Sequence, residues 1–314
     1  MSHLTALDLA KLNGNDIAIG IIEESLKSCP ELANFPARQI KGTSYTTVRR
    51  TGRPTVGFRK PNSGVDATKS PCAKDTHEMF VLSGRVEVDK SIADAYEGGP
   101  DALKAEEAVA VGQGALEAVG AQVFYGIDAN SDGFSGLQAL CGTSRVSLGD
   151  ITDSATTKTS IYLVRYGLAN GVSFDFGANS TIDLSDWRVE SVLDSSNKPF
   201  PAYVSDLSGW IGLSVKTLES IWRIANVGTE TGKKGITDKI IAAALSNWRG
   251  AAPDAIYMNR TAAYLLQCSR TYSLSGSGKL QGNVGPFAPM PTESNNIPIV
   301  ITDSLVDTES FVTL

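Results

Sequence analysis

The sequence predicts an α+β fold, in which strands and helices occur in separate runs along the chain. Two strand-forming runs flank a long turn-rich stretch, which predicts an open hairpin. A long amphipathic run then predicts one extended helix, and a series of short strand-forming runs follows it. With 314 residues, the chain is long enough for about two domains of ~150 residues each.

The N-terminal part predicts a helix followed by an extended arm. Asn15 or Asp16 can cap a helix over residues 15–28. Apolar side chains recur there with helical spacing, at Ile17, Ile21, Ile22 and Leu26. Pro30 ends this helix because proline has no backbone N–H to donate. Residues 29–40 contain two prolines, so we expect an extended arm there.

The next part predicts a long hairpin with an irregular loop. Residues 43–51 are rich in Thr, Tyr and Val, which favour strands, and Thr76–Val88 alternates apolar and polar residues near its end. Between them, Gly52–Pro71 contains three glycines and three prolines. An irregular segment of about 20 residues is unusual inside a compact domain and indicates a functional loop. Its flanking strand edges need a partner.

The strongest helical pattern follows the hairpin. Ser91–Tyr96 predicts a short helix that Gly98–Pro100 interrupts, and a long helix then runs from about Asp101 to Tyr125. Its apolar stripe consists of Leu103, Ala108, Leu116, Val119 and Val123.

The remainder of the chain predicts a β-rich region with two late helices. The predicted strands are Ser160–Leu168, Val172–Phe176, Trp187–Leu193, Ala202–Asp206, Trp210–Val215, Ile221–Val227, Asp254–Asn259 and Ile297–Thr302. The predicted helices are Ile236–Trp248 and Thr261–Cys268. Residues 143–159 and 271–296 are polar or rich in glycine and predict loops. No repeat is visible, which argues against solenoids and propellers.

Charge is distributed unevenly along the chain. The window Arg38–Lys74 holds nine cations and one anion, a net charge of +8, so the rest of the chain carries -14 of the total of -6. An acidic stretch, Glu87–Glu107, follows directly. Two interpretations remain open. The two segments are separate solvated faces, or the basic segment of one copy lies on the acidic helix of another, since complementary patches guide self-association. The candidate contact residues are Arg49, Arg50, Arg53, Arg59, Lys60, Glu97, Asp101, Glu106 and Glu107.

The composition leaves little for acid–base, metal or membrane chemistry. His3 and His77 are the two histidines, and no GxSxG motif is present, so a serine hydrolase would have to rest on His77. The cysteines are far apart, which predicts free thiols and no zinc site; they are Cys29, Cys72, Cys141 and Cys268. No apolar run approaches the ~18 residues that would cross a bilayer. We therefore expect no catalytic residue, no metal site, no cofactor and no membrane association.

Two further patterns suggest binding sites, and both have simpler explanations. Asp128–Gly133 resembles the start of a calcium loop, but the position that should carry a bidentate Glu is Ala139, so an ordinary turn is favoured. Tyr45 and Phe58 alternate with arginines, a pattern that could bind nucleic acid by stacking and phosphate contacts. The adjacent acidic stretch would repel nucleic acid, so we expect no sequence-specific binding.

Six stretches in order along nearly the whole chain resemble a known protein family. They are KGTSYTTVRRTGRPTVGFR (Lys41–Arg59), VEVDKSIADAY (Val86–Tyr96), GFSGLQAL (Gly133–Leu140), GWIGLSVKTLESIWRIANV (Gly209–Val227), PDAIYMNRTAAYLL (Pro253–Leu266) and IPIVITDSL (Ile297–Leu305). The family is that of the major capsid proteins of tailed bacteriophages, with the Johnson, or Hong Kong 97-like, fold. The resemblance implies an N-terminal arm (1–40), an extended β-hairpin loop (41–85), a peripheral domain with a long spine helix (86–140, with 297–314 returning) and an axial domain (141–296).

The resemblance also implies a function and partners. It implies a structural shell protein that forms hexamers and pentamers of an icosahedral phage head enclosing double-stranded DNA. The protein would be assembled in the cytoplasm of the host bacterium and reside in the virion capsid. Because the chain begins directly at the arm, a separate scaffolding protein is expected, together with a portal and a decoration protein. The alternatives are an encapsulin-type nanocompartment shell and, from another class, a calcium-binding or hydrolytic β-rich enzyme.

Overall fold

The computed structural model describes residues 27, 29–149, 157–178, 182–229, 235–274 and 288–313. The helices in this part of the chain are α1 (Glu31–Asn34), α2 (Lys90–Asp94), α3 (Pro100–Tyr125), α4 (Leu137–Cys141), α5 (Asp238–Asn247) and α6 (Arg260–Leu274). The strands are β1 (Ala37–Gln39), β2 (Ser44–Arg50), β3 (Cys72–Glu78), β4 (Phe80–Asp89), β5 (Val146–Leu148), β6 (Lys158–Val164), β7 (Val172–Phe176), β8 (Asp183–Leu184), β9 (Arg188–Leu193), β10 (Pro199–Val215), β11 (Ile221–Gly228), β12 (Ala255–Met258), β13 (Glu293–Ser294) and β14 (Ile297–Ile301).

The first sheet is built around the long strand β10. Along one edge β10 pairs antiparallel with β4, from Ala202 opposite Asp89 to Ile211 opposite Phe80. Along its other edge it pairs in succession with β9, β8 and β7, and β1 joins β7 in parallel. The strand that leaves the hairpin is therefore in the same sheet as strands from much later in the chain.

The second sheet has the order β13-β14-β12-β6-β11-β5. Its strand β6 is buried along its whole length. Side chains of α5 and α6 pack with this sheet in one apolar cluster that includes Ile161, Ile224, Ile241, Ile256 and Leu266. Removing such side chains from water is the main favourable contribution to the stability of this layer.

The long helix α3 joins the two sheets. Gly99 is its N-cap residue, and the helix begins at Pro100, because the fixed φ of proline suits the first helical position. Near its start Leu103 packs with Val86 and Val88 of β4. Near its end the Phe124 ring lies 5.2 Å from that of Tyr162 in β6, inside a core that also includes residues of β7 and β10. The helix therefore contacts the first sheet at one end and both sheets at the other.

The predicted hairpin is present. Strands β2 and β3 pair from Ser44 opposite Glu78 to Arg50 opposite Cys72. Residues 51–71 between them have no regular secondary structure, and nearly all of them are exposed. The hairpin projects as a two-stranded ribbon that belongs to neither large sheet. No helix in the described part of the chain is long and apolar enough to span a membrane.

Several sequence-based boundaries require correction. The two strands predicted at Ala202–Asp206 and Trp210–Val215 are one strand, β10. The strand predicted at Thr76–Val88 is two strands that meet at Met79. The loop predicted at 143–159 contains β5, and Leu116, predicted for the apolar stripe of α3, is about half exposed. The helix predicted at residues 15–28 lies outside the described residues except for Lys27.

Candidate intersubunit surface

A buried carboxylate holds the base of the hairpin against the first sheet. Asp175 of β7 accepts hydrogen bonds from Arg38 Nε at 2.6 Å and from Tyr45 Oη at 2.5 Å, and Lys216 Nζ lies 3.5 Å away. The Tyr45 ring is close to both cations, with centroid distances of 4.4 Å to Arg38 and 4.5 Å to Lys216, and Lys216 also donates to the Tyr45 hydroxyl. Burial, and secondarily the charge of Arg38, lower the pKa of Lys216 to about 8. These contacts orient the hairpin relative to the body of the subunit.

His77 is part of the same hairpin wall. Its Nε2 lies 3.1 Å from the Thr47 hydroxyl on the paired strand, and its ring lies 5.0 Å from that of Tyr45. Burial lowers the pKa of His77, which favours the neutral ring at pH 7. These neighbours give His77 a packing role in the hairpin.

The hairpin brings the five candidate cations onto one projecting element. Arg49 is half-buried and pairs with Asp75 on the opposite strand at 2.7 Å. Arg59 donates a hydrogen bond to the Ser63 carbonyl at 3.0 Å, which orders the far end of the loop. Arg50, Arg53 and Lys60 are exposed. Arg49 thus has an acidic partner within the subunit and Arg59 has a carbonyl partner, and all four cations other than Arg49 are exposed to solvent.

A basic cleft separates the hairpin from the body of the subunit. It is open, has a volume of about 1380 Å³, and is lined by cations from both sides. Its cationic lining residues are Arg38, Arg49, Arg50, Arg53, Arg145, Lys216 and Arg249, and its acidic lining residue is Glu219. Arg145, Lys216 and Arg249 come from distant parts of the chain and carry no local sequence signal. Sequence patterns therefore did not predict the second wall of the cleft, which is the side formed by Arg145, Lys216 and Arg249 of the body.

The four candidate acids lie at or near the start of α3 but do not form one face. Asp101 is exposed and pairs with Lys104 at 2.6 Å, and Glu106 accepts a long hydrogen bond of 3.4 Å from Tyr96 Oη. At about 100° per residue, Asp101 and Glu106 are roughly 140° apart around the helix. Burial, and then the charge of Glu106, raise the pKa of Glu107. Glu97 is exposed in the turn before the helix.

Exposed apolar side chains accompany these charges. In the hairpin loop, Val56, Phe58 and Val65 are exposed, and Phe58 is as accessible as in an extended chain, at 112%. On α3, Val109 and Leu116 are 59% and 51% exposed. Single exposed apolar residues are common, but a fully exposed aromatic ring on a projecting loop is typical of a contact with another molecule.

The segment that resembles a calcium loop is held as a turn. Asn130 Oδ1 accepts a hydrogen bond from the Asp132 backbone N–H at 2.9 Å, and Asp128 Oδ2 accepts one from Gln138 at 3.0 Å. The Gln122 amide donates to the carbonyls of Asn130 and Phe134. Within the described ranges, no group of three or more His, Cys, Asp or Glu residues could hold a metal ion. The contacts fit an Asx turn.

Comparison with known proteins identifies the family. A model of the family described as major capsid protein GP7 matches residues 17–313. The chain belongs to the GP7 major capsid protein family. This confirms the resemblance to phage major capsid proteins, and the GP7 family is one of structural proteins and not of enzymes. A search of curated proteins finds no match to this capsid protein.

Solved structures show the same fold. A chain in the structure of bacteriophage Epsilon15 aligns with a TM-score of 0.74 and 21% identity, over 100% of this capsid protein and 98% of that chain. A chain of the bacteriophage JBD30 capsid aligns with a TM-score of 0.51 and 12% identity, over 96% and 99%. The SrpI encapsulin of Synechococcus elongatus PCC 7942 has a TM-score of 0.51 and 11% identity, over 75% and 99%. These matches confirm the predicted Hong Kong 97-like α+β fold. The encapsulin aligns with a smaller share of this chain than the two phage capsid proteins do.

Proposed function

We propose that this major capsid protein assembles as hexamers and pentamers into an icosahedral phage head that encloses double-stranded DNA. The observation that carries the proposal is the projecting hairpin with its basic cleft, on a chain whose family forms capsids. The ribbon presents exposed cations and apolar side chains that need a partner surface, and the rest of each copy is acidic. Complementary surfaces of this kind favour self-association.

The proposed division of the chain is an arm (1–40), an extended loop (41–85), a peripheral domain (86–140 with 297–314) and an axial domain (141–296). The sheet pairing supports a larger peripheral domain. Strands β7 to β10 fall inside 141–296 but pair with each other and with β4, the strand next to α3. We therefore assign residues 172–215 to the peripheral domain. The second sheet, which includes β14 (Ile297–Ile301), belongs with α5 and α6 to the axial domain, so that only residues after β14 return to the peripheral domain.

In the assembled shell, the hairpin of one copy lies on the acidic surface of the next. The proposed contacts join Arg50, Arg53, Arg59 and Lys60 to Glu97, Asp101, Glu106 and Glu107, with Arg49 contributing to both hairpin and cleft. These acids lie on different sides of the start of α3. They can therefore contact cations on both sides of the cleft of a neighbouring copy, the hairpin side and the body side. Assembly is proposed to occur in the host bacterial cytoplasm, aided by a separate scaffolding protein and a portal, with a decoration protein added to the shell. No sequence-specific nucleic-acid binding and no membrane contact are part of the proposal.

The test is assembly of purified protein, followed by electron microscopy and sedimentation. Arg50→Glu with Arg53→Glu should block particle formation and leave the subunit folded, because neither residue pairs with Asp75 as Arg49 does. Lys198→Glu with Lys239→Glu reverses the same charge on exposed residues away from the cleft and should assemble normally. Equal behaviour of the two variants would refute the contact. Uniform small particles that form without scaffold would instead favour an encapsulin-type shell.

A further inference from the structure

An open notch lies between the arm and the middle of the long helix. It has a volume of about 370 Å³, and it is lined by Lys27, Cys29, Leu32, Ala33, Gln113, Leu116 and Glu117. Leu32 and Ala33 belong to α1, and the other three helical residues belong to α3. The notch is thus a mainly apolar recess with polar groups at its rim, which is the usual composition of a site that accepts one side chain.

Two polar groups of α3 line the notch beside Leu116. The Gln113 Oε1 atom is buried and has no hydrogen-bond partner among the described residues. A buried acceptor without a donor costs free energy, so the site favours a partner that brings an N–H group. Glu117 forms an ion pair of 3.0 Å with Lys27, and its side chain remains 30% exposed. The notch therefore offers an acceptor and a carboxylate next to an apolar floor.

The hairpin loop carries the complementary pair of groups. Phe58 is the most exposed large apolar residue of the described chain, and Arg59 follows it directly. An aromatic ring fits a recess of this size, because a cavity of about 150 Å³ is enough to hold benzene. An arginine brings five N–H donors and a positive charge. Interface energy commonly concentrates in such aromatic and arginine residues.

We propose that Phe58 of one copy inserts into the notch between α1 and α3 of a second copy. Arg59 of the inserted loop approaches the partly exposed Glu117 carboxylate and donates to Gln113 Oε1 once that side chain turns toward the notch, and Leu116 covers the ring. The inference rests on the proposed self-assembly and adds an apolar contact to its charge contacts. It explains why Leu116, although part of the helical apolar repeat, is left exposed in the single subunit. The occupant is a second copy because the same chain carries both the unpartnered ring, on a basic loop, and an apolar recess on α3, the helix that holds three of the four proposed acidic contacts.

Disulfide trapping tests the contact in assembled particles. Phe58→Cys and Leu116→Cys are combined in a Cys29→Ser, Cys72→Ser background, because Cys29 lines the notch and Cys72 is exposed, so each would react on its own. Mild oxidation of the particles should give a ladder of covalent multimers on a non-reducing gel. The matched control is Val65→Cys with Leu116→Cys, since Val65 is an exposed residue of the same loop. The control should give at most a tenth of the multimers.

The outcomes separate this inference from the proposed function. Particles that form but give no more multimers than the control, or only a disulfide within one chain, would overturn the notch contact and leave the capsid function intact. Absence of particles from the unaltered protein would count against the proposed function itself. If the cysteine pair prevents assembly, the concentration at which the Phe58→Ala variant half-assembles tests the notch contact instead. Phe58→Ala should raise the concentration for half-assembly at least tenfold, whereas Val65→Ala should leave it unchanged, and equal effects would overturn the inference.

Discussion

At the scale of single residues, a buried carboxylate connects the arm to the end of the chain. Glu31 of α1 is fully buried and accepts hydrogen bonds from Thr302 Oγ1 at 2.9 Å and from Ser304 Oγ at 2.5 Å. Burial raises the pKa of Glu31 despite these hydrogen bonds, and the charge of Asp303 acts in the same direction. This buried carboxylate lies where the arm, the long helix α3 and the C-terminal segment meet.

This carboxylate should give the unassembled subunit a specific pH dependence. Above the usual pKa of 4.5, the unfolded chain loses the proton first, so the folded state binds more protons and the free energy of unfolding falls as pH rises toward the raised pKa. Glu31→Gln removes this titration and keeps a side chain that can hydrogen-bond the two hydroxyls. Urea unfolding at a series of pH values from 4.5 upward should therefore show a smaller decline for the variant.

The groups around Glu31 define the control for that experiment. Asp303 and Cys29 face it from neighbouring segments, and Glu117, whose charge also acts on Cys29, pairs with Lys27. Asp101→Asn changes a carboxylate on the exposed side of α3 and should leave the pH slope as in the unaltered protein. Parallel pH profiles for Glu31→Gln and the unaltered protein would show that Glu31 is not the responsible group.

A buried ion pair holds the C-terminal segment. Arg223 and Glu309 lie 2.9 Å apart with side chains that are 7% and 5% exposed, and Tyr125 Oη also donates to Glu309 at 2.8 Å. Glu309→Gln leaves the guanidinium buried without a counter-charge and should lower the free energy of unfolding by about 3–5 kcal/mol. Asp101→Asn breaks an exposed pair with Lys104 and should cost at most ~1 kcal/mol. Chemical denaturation measures both, and equal losses would contradict the buried role of the pair.

At the scale of elements, the glycines of α3 have different functions. A Cβ on Gly120 would lie 2.4 Å from Ser304 Oγ and 2.7 Å from Glu31 Oε1, whereas nothing lies within 4 Å of a Cβ on Gly114. Gly120→Ala should therefore destabilise the subunit by about 1–3 kcal/mol through overpacking. Gly114→Ala should stabilise it by about 0.5–1 kcal/mol, because alanine is the better helix former. Thermal unfolding of the two variants checks the contrast, and a gain for Gly120→Ala would contradict the close approach.

Periodic patterns predicted most elements, and long-range pairing explains the exceptions. The sequence predicted a break between Asp206 and Trp210, but Gly209 within that gap pairs with Leu82 in the ladder to β4. A Cβ there would lie 2.7 Å from Ile182 Cα, so the glycine permits a close approach and does not end the strand. The short strand β5 was missed because it forms only by parallel pairing with β11, whose residues are about 75 positions away. Local sequence cannot reveal either effect.

The candidate surface was only partly predictable for the same reason. The hairpin cations cluster in sequence and were visible as a charge excess in Arg38–Lys74. The second wall of the cleft depends on Arg145, Lys216 and Arg249, which the two sheets bring together from separate segments. The pairing of Arg49 with Asp75 likewise depends on strand register. Residue types predicted the chemistry of the surface, and topology determined its shape.

At the scale of the whole molecule, charge and apolar surface are separated in a way that suits self-assembly. A basic ribbon projects from an acidic body, and its exposed ring is flanked by cations. Electrostatic attraction acts over roughly a Debye length and guides the approach of two copies, whereas apolar burial acts only on contact. Two copies should therefore meet through charge and remain together through both kinds of contact.

Salt should separate these two contributions to assembly. Raising sodium chloride from about 0.1 M to about 1 M shortens the Debye length from about 10 Å to about 3 Å, so the rate of particle formation should fall severalfold. Sodium sulfate at matched ionic strength screens charge equally but strengthens apolar burial, and it should preserve the final yield of particles better than chloride. Light scattering follows the rate, and sedimentation measures the yield. Arg50→Gln with Arg53→Gln removes two charges without reversing them, so it should slow assembly and weaken the salt dependence of the rate, whereas Phe58→Ala should retain that dependence and lose the advantage of sulfate. An assembly rate that is independent of chloride would show that apolar contacts alone drive the encounter, and the charge partition would then serve solubility instead.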